Sequence, residues 1–107
     1  MSQTLERVRG LVRAGDYRLS EHGRRRLADA GVREEEAVAG IAEAKMVEDY
    51  PGFAKGPCVL VLQRDDDGVP YHVLWGTPMR LERPAVLITG YRPDPRLWSE
   101  DFRRRRM

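Results

Sequence analysis

Cysteine is all but missing from this sequence of 107 residues, with Cys58 standing alone. One thiol excludes an intramolecular disulfide and a cysteine-built zinc cage. Its place in the apolar run 58–62 predicts a buried, inert side chain in a reducing compartment. No run approaches the ~18 apolar residues of a membrane-spanning helix, and the opening Met1-Ser2-Gln3-Thr4-Leu5-Glu6-Arg7 lacks the apolar segment of a secretory leader. A cytoplasmic protein without membrane contact is therefore expected. No Gly-x-Gly-x-x-Gly, P-loop or Gly-x-Ser-x-Gly occurs, so nucleotide-fold and serine-hydrolase chemistry have no foothold.

Histidine is nearly as scarce. His22 and His72 lie far apart, and without a His-x-x-x-His pair or a cysteine cluster they offer no ligand spacing for zinc. Asp65-Asp66-Asp67-Gly68 shares the opening of a calcium loop, but the later glutamate is missing, and a polar hairpin turn is the simpler reading. Neither metal nor cofactor is expected.

Lysine is rare too. Only Lys45 and Lys55 occur among 19 basic residues, and the rest are arginine. The net charge is +2 and the isoelectric point about 9.0. Guanidinium matches phosphate bidentately and stacks on bases, which suits a nucleic-acid partner; a genome that favours arginine codons gives the same count. Placement says more than number. Arginines cluster at 24–26 and 103–106, whereas acids gather at 34–36 and 65–67, so charge is segregated along the chain.

The length suits one domain, 1–107, with a helical part (3–44), a sheet (45–92) and a basic tail (93–107). Thr4 or Ser2 caps a first helix to about Ala14, with Leu5, Val8, Leu11 and Val12 on one stripe. After an extended Tyr17-Arg18-Leu19, Ser20 caps a second helix that Gly31 closes. A third is predicted from Arg33 to about Ala44, its inward stripe formed by Ala37, Val38, Ile41 and Ala44. From residue 45 the period becomes two. Strands are predicted at 46–50, 58–62, 69–75 and 85–91, the last bounded by Pro84 and Pro93 and central in the sheet. Strict alternation along it sets Val86 and Ile88 on one face and Leu87, Thr89 and Tyr91 on the other. Helices before strands predict an α+β domain, N-terminal helices packing on one face of a four-stranded, mostly antiparallel sheet.

His22 falls near the second position of a helix, with Arg25 and Arg26 one turn on. An imidazole, two guanidiniums and free backbone donors at a helix start together suit an anion. The bland alternative is a histidine capping its own helix. His72, on a strand, shares a face with Thr89 or Tyr91 if its strand neighbours the last one. Trp98 and Phe102 are expected to dock the tail, which would fix the arginines behind them as a strip able to follow a phosphate backbone.

Three fragments carry a resemblance when taken together: Leu19-Ser20-Glu21-His22-Gly23-Arg24-Arg25-Arg26, then Pro70-Tyr71-His72-Val73-Leu74-Trp75, then Ile88-Thr89-Gly90-Tyr91-Arg92-Pro93-Asp94 with Trp98 and Phe102 following. In order and spacing they resemble the bacterial family called domain of unknown function 4258. That family is similar to the RelE-type toxins, which include messenger-RNA endonucleases and the gyrase-inhibiting ParE group. The resemblance implies a RelE-like fold, a toxin of a toxin–antitoxin system, RNA as substrate, on or off the ribosome, and a zinc-finger-type antitoxin as partner. It carries over His22, Arg26, His72, Thr89 and Tyr91. Arg33 stands where the family has a Thr or Ser helix cap, and the chain opens on a helix where many RelE-type proteins open on a strand.

The leading expectation is a metal-independent RNA endonuclease in which a neighbouring 2′-hydroxyl attacks the phosphate. His22, His72 and Tyr91 are its candidate acid and base groups; Arg25, Arg26, Thr89, Arg92, Arg103 and Arg104 are its candidate substrate contacts. The alternatives are a non-catalytic toxin or regulator binding a protein such as gyrase or an antitoxin, and a small RNA-binding accessory domain. On the catalytic reading, His72, Thr89 and Tyr91 are expected to open onto one concave face with His22 at its rim.

Overall fold

The computed structural model describes residues 2–106. Ser2 caps the first helix, α1 (Gln3–Arg13): its hydroxyl accepts from the Leu5 N–H at 3.0 Å and donates to Asp49 Oδ1 at 2.9 Å. Leu5 and Val8 on the inward side are buried. The extended segment that follows is a strand, β1 (Tyr17–Leu19), in parallel register with the last strand, Tyr17 opposite Ala85 and Leu19 opposite Leu87. The sheet therefore has five strands and is mixed, not four-stranded. Three residues carry no readable period; this strand exists because a distant one supplies its hydrogen bonds.

Ser20 then caps α2 (Glu21–Ala30). Its Oγ accepts from the Gly23 N–H and donates to the Ile88 carbonyl, both at 2.9 Å, which fastens the helix start to the last strand. Gly31 ends α2 in the left-handed region, at φ 74°. The third helix, α3 (Glu34–Gly40), is shorter than its apolar stripe predicts and gives way to a 3-10 turn, Ile41–Glu43. The Arg9 guanidinium donates to the Ile41 and Ala44 carbonyls beyond it, at 3.1 and 2.5 Å. A side chain from α1 thus satisfies two acceptors that the end of a helix leaves without partners. Arg33 at the N-cap makes no side-chain capping bond.

Strands β2 (Lys45–Tyr50), β3 (Cys58–Arg64), β4 (Pro70–Gly76) and β5 (Ala85–Tyr91) form an antiparallel ribbon, and the sheet order is β1-β5-β4-β3-β2. The acidic turn between β3 and β4 closes on Asp65, whose Oδ1 accepts from the Asp67 and Val69 N–H groups at 2.9 and 2.8 Å. Helices cover one face. Val59, Val61, Val73, Trp75, Ala85 and Leu87 meet Leu5, Val8, Leu27, Ala37 and Ile41 there. Burying a side chain such as Leu27 contributes about 1.5–3 kcal/mol. Gln63 is the polar member of this layer, and it is satisfied: Nε2 donates to the Ala37 carbonyl at 2.9 Å and to Tyr71 at 3.0 Å, while Oε1 accepts from Trp75 Nε1 at 3.2 Å. Cys58 is buried, and desolvation, then the Asp49 carboxylate, raises its thiol pKa.

β5 is interior, as its composition predicts, but its alternation is broken. Trp75 pairs with Leu87 and Leu74 with Thr89, so Ile88 is an extra residue, a β-bulge. Paired residues share a face. Leu87 stays under the helices with Trp75, whereas Thr89 and Tyr91 move to the opposite face with Leu74 and His72. The expected grouping of Leu87 with Thr89 and Tyr91 is thereby overturned. Gly90 now faces α2, where a Cβ would lie 3.0 Å from Leu27 Cδ2. Among the described residues no helix is long and apolar enough to cross a membrane.

Candidate functional site

β1 stops at Leu19, so the edge of β5 beyond Leu87 has no strand beside it. α2 begins in that gap. Gly23 packs so closely on β5 that a Cβ would lie 2.8 Å from the Leu87 carbonyl oxygen. His22, the second residue of α2, therefore reaches Thr89: Nε2 and Oγ1 are 3.1 Å apart. His22 remains exposed.

Two residues along the same face, Tyr91 meets His72, its register partner on β4, with the phenol oxygen 3.2 Å from Nδ1. His72 Nε2 lies 2.7 Å from the carbonyl oxygen of Phe102. A carbonyl only accepts, so Nε2 carries the proton and donates. Burial lowers the pKa of this imidazole from its ordinary 6.5, the Phe102 carbonyl opposing the shift and the Arg105 charge adding to it. The ring is neutral at pH 7, which leaves Nδ1 as an acceptor for the Tyr91 O–H. Burial likewise raises the Tyr91 pKa above 10.0, so the phenol keeps its proton. Tyr91, His72 and Phe102 form an ordered relay that points inward from Tyr91.

His72 does not open onto the surface. It is 0% exposed, covered by Trp98 in an edge-on contact with ring centroids 4.5 Å apart. Trp98 is itself buried, with the Arg105 guanidinium 4.7 Å over its ring and held by Glu48 at 2.9 Å. Of the side chains expected on one concave face, Thr89 and Tyr91 line a hollow; His22 lines neither hollow but touches Thr89, and His72 sits behind.

Two hollows meet at Tyr91. One, about 210 Å³, lies between α2 and the end of β5 and is lined by Arg26, Asp29, Ala30, Gly90, Tyr91 and Arg92. The other, about 290 Å³, is apolar; Tyr50, Phe53, Cys58, Leu60, Leu74, Thr89 and Tyr91 form its walls. Arg26 is exposed and has no carboxylate partner among the described residues, and neither has Arg25, which lines neither hollow. Arg92 is held by several intramolecular bonds. It donates to the carbonyls of Ala30, Val69 and Pro70 and pairs with Asp65 at 2.9 Å, tying α2 to the β3–β4 turn. Arg103 donates to the Met46 carbonyl, and Arg104 is exposed. Trp98, Phe53 and the Phe102 carbonyl were not readable as site components; a backbone acceptor leaves no trace in residue type. Among the described residues no group of three or more His, Cys, Asp or Glu side chains converges as metal ligands do.

A family model described as domain of unknown function (DUF4258) matches residues 19–92, more than half of the chain. The chain belongs to the DUF4258 family. The matched segment starts at the end of β1 and stops just after β5, so it contains His22, His72, Thr89 and Tyr91. The tail that covers His72 follows the DUF4258 segment. No curated protein and no solved structure matches the chain.

Proposed function

We propose that this DUF4258 protein is a metal-independent RNA endonuclease of the toxin type, built on a RelE-like variant of the α+β fold. The observation that supports this best is the pair of proton-handling contacts on one strand face, His22 with Thr89 and Tyr91 with His72. Residues two apart on a strand are separated by roughly 6.6 Å, a span that one phosphate can bridge.

The 2′-oxygen attacks phosphorus and the bond to the 5′-oxygen breaks, giving a 2′,3′-cyclic phosphate and a 5′-hydroxyl end. Tyr91 takes the 2′ proton as it passes its own to Nδ1 of His72, which is unprotonated and aimed at it. His22, held through Nε2 by Thr89, gives a proton to the departing 5′-oxygen. Arg26 is the phosphate clamp, and a guanidinium there acts on the charge that develops at phosphorus. His72 touches no substrate; it sets the direction of the Tyr91 proton. A zinc-finger-type antitoxin belongs to the same reading.

Arg25 points to a second reading, a non-catalytic toxin or regulator that binds an acidic protein such as gyrase or an antitoxin, because it is exposed and lies outside both hollows. Incubating the purified protein with end-labelled RNA in excess chelator separates the two. Cleavage with cyclic phosphate ends supports the nuclease. Intact RNA, alone and with ribosomes, alongside growth arrest in cells whose messenger RNA is intact, supports the binder.

A further inference from the structure

We infer that the apolar hollow beside Tyr91 is a binding site for a single nucleobase of a single-stranded RNA, seated next to the phosphate that Arg26 holds. This rests on the RNA reading above and names the part of the substrate that the chemistry leaves unassigned.

The hollow measures about 290 Å³, at the foot of the ~300–1,000 Å³ range of small-molecule sites, so it takes one ring system and not two. Its walls are Leu60, Leu74 and Cys58, with the Tyr50 and Phe53 side chains among its lining. Phe53 is 53% exposed, in the loop between β2 and β3. Nothing in the core requires an aromatic ring there. Tyr50 is fixed, because its hydroxyl donates to Glu48, which in turn pairs with Arg105. An aromatic ring beside an apolar slot accepts any base by stacking.

Charge selects the occupant. The neighbouring hollow shares the Tyr91 wall and carries Arg26, which has no carboxylate partner among the described residues, beside Asp29 and an Arg92 already paired with Asp65. A groove with one unpaired guanidinium and an apolar slot, joined at one residue, repeat the alternation of phosphate and base along a single strand. An apolar peptide side chain would leave the Arg26 guanidinium unmatched. The tail is no competitor, since Trp98 is already seated over His72.

The test is titration calorimetry of the full chain with the four nucleoside 3′-monophosphates and with ribose 5-phosphate, which has the anion but no base. Binding of at least one nucleotide about fivefold or more tighter than ribose 5-phosphate is expected, with that advantage lost in Phe53→Ala and kept in Phe53→Trp. Equal affinity for ribose 5-phosphate overturns the proposal, and so does a nucleotide preference that Phe53→Ala leaves unchanged. Sedimentation in the same buffer must show no self-association that Phe53→Ala abolishes; if it does, the hollow belongs to a second copy and the proposal fails. Base-dependent binding without RNA cleavage sinks the nuclease alone, and cleavage by a protein indifferent to the base sinks the base site alone.

Discussion

Nε2 of His72 donates to the Phe102 carbonyl at 2.7 Å, so a strand residue inside the family-matched segment takes its tautomer from a tail that lies outside it. The tail is thus part of how Tyr91 is presented. Trp98 holds it down, with only 3% of its surface exposed. Trp98→Ala should lower unfolding stability in urea by about 3 kcal/mol, the low end for an aromatic lost from a core. It should also open His72 to diethylpyrocarbonate. A loss under about 1 kcal/mol with His72 still protected would mean that the tail is not docked in solution.

Acid should destabilise the protein well before its carboxylates titrate. The pKa of His72 is lowered by burial from 6.5. Between that folded value and 6.5 the unfolded chain binds a proton that the folded chain refuses, so stability is full above about pH 7 and falls as pH drops. The slope cannot exceed about 1.4 kcal/mol per pH unit for one group. Asp65, Asp94 and Asp101 are lowered from 3.8 and act only at more acid pH. Urea denaturation from pH 7.5 to 5 should show the decline in the parent and little of it in His72→Gln. A flat profile in the parent contradicts a buried neutral imidazole.

Gly23→Ala separates local propensity from packing. Alanine gains about 1 kcal/mol over glycine in a helix interior. Here its Cβ would meet the Leu87 carbonyl oxygen at 2.8 Å and Leu87 Cδ2 at 3.0 Å, and backbone does not yield cheaply. Overpacking costs about 1–3 kcal/mol, so a net loss of melting temperature is expected, along with displacement of His22 from Thr89. Gly10→Ala is the control, with open space at its Cβ, and it should be neutral or stabilising.

Much of this architecture is legible in residue types. Ser20 and Gly31 bracket α2, Asp65 to Gly68 turn the hairpin, and the composition of residues 85–91 marks an interior strand. The failures share one cause: non-local contacts. β1 depends on pairing with Ala85 and Leu87, and the turn after α3 has its Ile41 and Ala44 carbonyls satisfied by Arg9 from another helix. The bulge at Ile88 reverses the faces of Thr89 and Tyr91, and Gly90 two residues on is its one local signal, which does not say where the extra residue falls. His22 and Thr89, 67 positions apart in sequence, stand out by residue type, but their contact depends on how short β1 is. The four acceptors that hold Arg92, three of them backbone carbonyls, are likewise invisible in sequence.

The relay gives Tyr91 and His72 unequal roles. Tyr91→Phe removes the proton carrier and should reduce any RNA cleavage about 100-fold or more. His72→Gln keeps a side-chain amide for hydrogen bonding but offers no basic nitrogen, and should reduce cleavage as strongly while RNA binding, read by filter retention, is unchanged. Retained cleavage in His72→Gln would remove the relay from the account.

The central claim is that His22 does chemistry at a phosphate. Its most direct measurement is single-turnover cleavage of end-labelled RNA by parent and His22→Ala, in chelator, with product ends resolved and melting temperatures compared. The account predicts 2′,3′-cyclic phosphate ends from the parent, a rate about 100-fold or more lower in His22→Ala, and matching thermal stability. Equal rates in the two proteins, or no cleavage by the parent of any RNA free or on ribosomes, would contradict it.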